Sequence, residues 1–182
     1  MTTLTDIIKY FAKFPDKAGV LKNFARTVEK VDGYDEIKAY VNALGDPLLP
    51  DIKGFVFGHD DTIVTERIRN MKDYFMFIEY GMIKAAQPDK IMVRYTDIAL
   101  ALTIAIPFND SGRDPVEQII ISDNCLTMVQ SVLDTINADD SAICPIHRYL
   151  ESRLDITPII PELFYGNIGW VVTFNSQLTP FI

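Results

Sequence analysis

Chemically reactive side chains are scarce in this chain. Its 182 residues include two cysteines, two histidines and one tryptophan. Two cysteines, Cys125 and Cys144, are too few for a disulfide scaffold. The opening Met1-Thr2-Thr3-Leu4-Thr5-Asp6 lacks the basic and apolar stretches of a secretory leader. Together these predict a soluble intracellular protein with reduced thiols. No run of Lys and Arg occurs: 17 basic residues face 25 acidic ones, for a net charge of −8. Phosphate backbones and anionic lipids attract cations, so this balance argues against sequence recognition of nucleic acid and against a membrane partner. The longest apolar run, Ile98 to Pro107, falls far short of the ~20 residues that span a bilayer. The nine glycines are scattered, so no phosphate-cradling loop forms. No Ser or Cys stands in a nucleophile elbow either.

What is present is a core. Hydrophobic residues make up 48 % and charged residues 23 % of the chain, the balance of a globular domain rather than a disordered segment. Two regions are expected. Residues 1–50 read as helical: Ile7, Ile8, Phe11 and Phe14 recur at helical spacing up to Pro15-Asp16. Val20, Leu21, Phe24, Val28 and Val31 follow, ending at Asp32-Gly33, and Ile37, Val41 and Leu44 precede Gly45 as a C-cap. Pro47 and Pro50 bracket a rigid connector.

Residues 51–182 read as an α+β domain, a mostly antiparallel sheet of about four strands with one main helix packed across it. Phe55-Val56-Phe57 is a short apolar strand or an arm, followed by a helix from Asp60 or Asp61 to about Met71. A strand from Tyr74 to Tyr80 is closed by Gly81. A long strand from Val93 to Ile106 puts Ile98, Leu100, Leu102, Ile104 and Ile106 on one face and Ala99, Ala101, Thr103 and Ala105 on the other. Ser122 or Asp123 caps the main helix, whose stripe is Leu126, Val129, Leu133 and Ile136. After a strand near Leu154 to Ile160, the closing strand alternates Trp170, Val172 and Phe174 against Val171, Thr173 and Asn175, the period-2 pattern of a sheet buried on one side.

The few reactive groups have ordinary structural explanations. Cys144-Pro145-Ile146-His147 is half a zinc site, but its only possible completing ligands, Cys125 and His59, sit in unrelated contexts. His59-Asp60-Asp61 resembles the start of an acid–base site, but its place before a helix gives the simpler account, His59 as a loop residue and Asp60 or Asp61 as N-cap. Asn109-Asp110-Ser111-Gly112-Arg113-Asp114 has oxygens for calcium without the order of a calcium loop, and reads as a solvated turn. No catalytic, cofactor or metal residue is therefore assigned, and no cofactor is expected.

From about Leu48 to Thr179 the chain resembles tailed-phage tail-terminator and tail-completion (head–tail joining) proteins and their counterparts in phage-derived contractile machines. The resemblance lies in the strands Tyr74-Phe75-Met76-Phe77-Ile78-Glu79-Tyr80-Gly81 and Ile98-Ala99-Leu100-Ala101-Leu102-Thr103-Ile104-Ala105. It lies also in the ending Gly169-Trp170-Val171-Val172-Thr173-Phe174. The first fifty residues and the Phe55 to Met71 segment stand outside it. It implies a virion structural protein without catalysis, a homo-oligomeric ring at the tail or neck. Its partners would be tail tube, sheath or connector proteins, and it would pass through the host cytoplasm during assembly. In that reading Pro47–Gly58 and Tyr80–Val93 serve as arms, with Phe55, Val56 and Phe57 seeking cover from a neighbour, and the Ala face of the long strand supplies contacts. The alternative is a small intracellular adaptor acting as a monomer or dimer, and a third reading is an enzyme using His59 with Asp60 or Asp61.

Overall fold

The computed structural model describes residues 3–24, 31–59, 62–86, 95–108, 114–139 and 154–178. Thr3 begins it with a capping box, its hydroxyl accepting from Asp6 N while the Asp6 carboxylate accepts from Thr3 N. The helix so started, α1 (Leu4–Phe11), turns Ile7, Tyr10 and Phe11 inward. After Pro15, Asp16 caps the short α2 (Lys17–Leu21) through Ala18 N. Of the second expected helix, Val28 lies outside the described residues, and Gly33 stands immediately before the third. It starts α3 (Tyr34–Ala43) from a left-handed conformation, φ 82°, that a side chain would strain. Gly45 follows the C-cap Leu44 without a positive φ, so it is not the left-handed cap expected.

The remainder is α+β, as its alternating strands predict. Five strands order as β1-β2-β3-β5-β4: β1 (Gly54–Gly58), β2 (Phe75–Ala86), β3 (Tyr95–Pro107), β4 (Asp155–Pro158) and β5 (Asn167–Leu178). All pairings are antiparallel except β1 with β2, which is parallel. A parallel neighbour needs a crossover, and α4 (Thr62–Arg69) provides it. β1 is thus the strand beyond the four expected.

Gly81 does not close β2. The pairing slips between Tyr80, opposite Leu100, and Ile83, opposite Ile98, so Gly81 and Met82 face Ala99 alone. This is a β-bulge, and glycine tolerates its bend. The main helix, α5 (Pro115–Ala138), also begins earlier than expected. Asp114 is its N-cap, accepting from Glu117 N at 2.8 Å, and Pro115 occupies the first turn. The turn at 109–113, the Cys144–His147 motif and Asp60-Asp61 lie outside the described residues.

Period-2 alternation places two cores on the two sheet faces. Met76, Ile78, Leu100, Leu102, Ile104, Val172 and Phe174 face α1, Phe14, Val20 and the α5 stripe Cys125, Val129, Val132 and Ile136. On the other face Phe75, Phe77 and Ala105 meet Val56 and the α4 residues Val64 and Ile68. The N-terminal helices therefore share the larger core with the sheet. The connector binds them to it: Leu48 N and Leu49 N donate to Lys13 O and Phe14 O, and Asp16 N to Ile52 O, at 2.7–3.0 Å. Burial of side chains such as Phe11 and Phe14, each worth about 1.5–3 kcal/mol, holds helices and sheet as one packed unit.

Candidate interaction surfaces

The expected arm is not an arm. Phe55 is 2 % and Val56 0 % exposed, and Phe57, half-buried, stacks on Tyr80 with ring centroids 5.5 Å apart. Both sides of β1 are covered by its own chain, the Phe55 side by the α1/α5 core and the Val56 side by α4. The Ala face of β3 is also partly internal, since Thr103 and Ala105 are buried.

The reactive groups are equally dispersed. His59 is exposed at the end of β1, its ring 6.2 Å from that of Tyr80. Cys125 is fully buried on α5, its thiol 3.9 Å from the carbonyl of Ile168, and burial pushes its pKa up to about 12. A thiol so protonated is a packing group and not a nucleophile. Among the described residues no three His, Cys, Asp or Glu side chains gather to hold a metal. No described helix is long and apolar enough to cross a membrane.

Two surface features stand out instead. The first is a basic cleft where α2, β1 and α4 meet. Two adjoining hollows of about 230 and 270 Å³ share Lys22, Gly54, Asn70 and Met71 in their walls. Lys53, Lys72 and Asp73 line one, and Gly19, Asn23, Phe55 and Arg67 line the other. Gly19 is needed here, because a Cβ would overlap the Lys53 carbonyl. Asn23 is held by its amide, which donates to Val20 O at 3.0 Å and Phe55 O at 2.9 Å, and its Oδ1 accepts from Arg67. That bond fixes the half-buried guanidinium with a neutral partner. Lys53 pairs with Asp16 at 3.2 Å, whereas Lys22, Arg67 and Lys72 are in no ion pair among the described residues. Asp16 itself is held below the usual carboxylate pKa by the Ala18 N–H, then by Lys53 and Lys22. Among the described residues four cations, Lys22, Lys53, Arg67 and Lys72, gather about the carboxylates of Asp73 and Asp16, an excess of positive charge suited to a carboxylate or other oxyanion.

The second feature is the N-terminal half of α5. At 100° per residue, Cys125, Val129, Val132 and Ile136 form one stripe, buried on the sheet. Val116, Ile119, Ile120 and Asp123 fall on the opposite side of the same helix. Val116, Ile119 and Ile120 are 64 %, 67 % and 56 % exposed. The helix therefore changes its apolar face partway along. Its charged residues are Glu117, Asp123 and Asp134, with no Lys or Arg, and its N-cap is Asp114. Trp170 anchors it, the indole N–H donating to Ser122 O at 2.9 Å and Ser122 Oγ at 3.1 Å.

Sequence reasoning missed both features. The cleft draws its cations from positions 22 to 72, with no local motif. The helix left a legible signal, Asp114-Pro115 with Glu117 as a start and Val116/Ile119/Ile120 out of phase with the later stripe. No family model matches the chain, and neither a curated protein nor a solved structure does.

Proposed function

We propose that the protein is a non-catalytic structural subunit acting through protein–protein contacts, one copy in a homo-oligomeric ring at the tail or neck of a phage-like particle. The observation that carries this reading is the outward apolar face of α5. Exposed Val116, Ile119 and Ile120 lie directly opposite the face the helix uses in its own core. A cluster of this kind, rimmed by acidic residues, is what an assembly contact leaves visible on a separated subunit. The resemblance of the strands and the Gly169-Trp170 ending to tail-completion proteins supplies the setting. Phe55, Val56 and Phe57 lend no support, because their own chain covers them.

That packing favours a second reading, an intracellular adaptor working as a monomer or dimer through the same α5 face. Recovery of the protein in its native assembly separates the two. The ring reading expects a multi-subunit particle holding several copies related by rotation. Recovery solely as a monomer or dimer with an unrelated partner overturns it in favour of the adaptor.

A further inference from the structure

We infer that the acidic, apolar N-terminal half of α5 on one copy docks in the basic cleft between α2 and α4 of the next copy. The inference rests on the ring reading above and specifies its contact. Charge complementarity is the first argument. Glu117 and Asp123 accompany Val116, Ile119 and Ile120 on a helix without a cation, preceded in sequence by Arg113 and the N-cap Asp114, while Lys22, Arg67 and Lys72 stand around the cleft beside the Lys53–Asp16 pair and Asp73. A gathering of cations is uncommon on a chain with an excess of acidic residues, and the helix supplies acidic and apolar groups to set against it. Met71, half-buried, gives the cleft an apolar wall for the isoleucines.

Placement is the second argument. Gly54 is in register with Phe75, Phe75 with Ala105 and Ala105 with Gly169, so the cleft and the Trp170–Ser122 anchor lie at one end of the sheet. Three strand spacings, roughly 14 Å, separate them. α5 runs from Ser122 over β5 towards Asp139, which pairs with Lys13 at 3.1 Å beside α1. The N-terminal half of α5 thus starts from the β5 side of the sheet while the cleft opens on the β1 side, so the two lie toward different edges. Contact between two different edges is head-to-tail, the type that closes rings rather than two-fold dimers.

Complementation of two crippled subunits tests this. One carries Lys22→Glu with Lys72→Glu, both exposed, which leaves the Asn23–Arg67 bond in place; the other carries Ile119→Asp with Ile120→Asp. Circular dichroism melts check that each folds. Sedimentation velocity is expected to show wild-type oligomers that weaken as salt rises, and self-association weakened on the order of a hundredfold in each variant. An equimolar mixture retains one intact contact and is expected to stop at a heterodimer. Wild-type oligomers unaffected by the cleft substitutions overturn the inference and leave the ring reading standing. Two variants that do not complement show that the helix face and the cleft do not meet, and overturn it too. A wild-type chain monomeric at millimolar concentration also overturns it, since this contact needs no third component. The ring reading itself is judged separately, by the copy number in the native particle.

Discussion

Replacing Trp170 with Ala is expected to unfold the clamp between β5 and α5. The indole is half-buried against the larger core, and its N–H bonds both Ser122 O and Ser122 Oγ. Removing on the order of 150 Å² of apolar contact at ~25 cal/mol/Å² costs about 4 kcal/mol. The lost hydrogen bond adds about 1 kcal/mol, partly recovered by water because the site is open on one side. A net loss of about 3–5 kcal/mol results, in the range for large-to-small aromatic changes. Thr173→Ala, three residues along on the exposed opposite face, is expected to cost less than about 0.5 kcal/mol. Urea unfolding followed by far-ultraviolet circular dichroism is the assay, because Trp170 is the single tryptophan and its removal abolishes that fluorescence. With a slope of about 2–3 kcal/mol/M, the Trp170→Ala midpoint shifts by roughly 1–2.5 M. Equal small losses at both positions would show that the alternation of β5 does not decide what is buried.

Other outcomes follow from named contacts. Gly169→Ala is expected to prevent normal pairing of β3 with β5, since its Cβ would overlap the Ile104 carbonyl and lie 2.6 Å from the Ala105 Cα; soluble expression and melting temperature report this, and a shift under 2 °C would refute it. Ile120→Ser is expected to leave stability within about 0.5 kcal/mol while Val132→Ala, on the buried stripe of the same helix, loses about 2 kcal/mol, so equal losses in denaturant would refute the two-faced reading of α5. Cys125 is expected to resist thiol reagents at pH 8 until the chain unfolds, and rapid labelling of the native protein at this residue would contradict its burial. Asp16 has a folded pKa below its ordinary 3.8, so its stabilising contribution is full above that value and is lost as the pH falls through the lower folded one. Asp16→Asn should then lower stability at pH 7 and bring variant and wild type together at strongly acidic pH. A constant gap across that range would refute the assignment.

Local periodicity determined much of this protein. Alternation in 99–106 and 170–174 fixes which side chains enter the core, because successive strand residues point to opposite faces whatever the strand pairs with. Helical spacing of Ile7, Phe11 and Phe14 likewise fixed an inward face, and the α+β class followed from the order of such segments. Tertiary structure decided what spacing cannot express. Phe55-Val56-Phe57 is equally apolar as an arm or a strand, and only the crossover through α4 and pairing with β2 settles it as internal. Gly81 carries the same turn signal at a strand end or a bulge, and pairing with Leu100 and Ile98 on either side of the slip makes it a bulge. The cleft is the clearest case. Lys22, Arg67 and Lys72 are ordinary surface residues until folding brings the ends of α2 and α4 together, since charges far apart in sequence act jointly only once packing sets their distance.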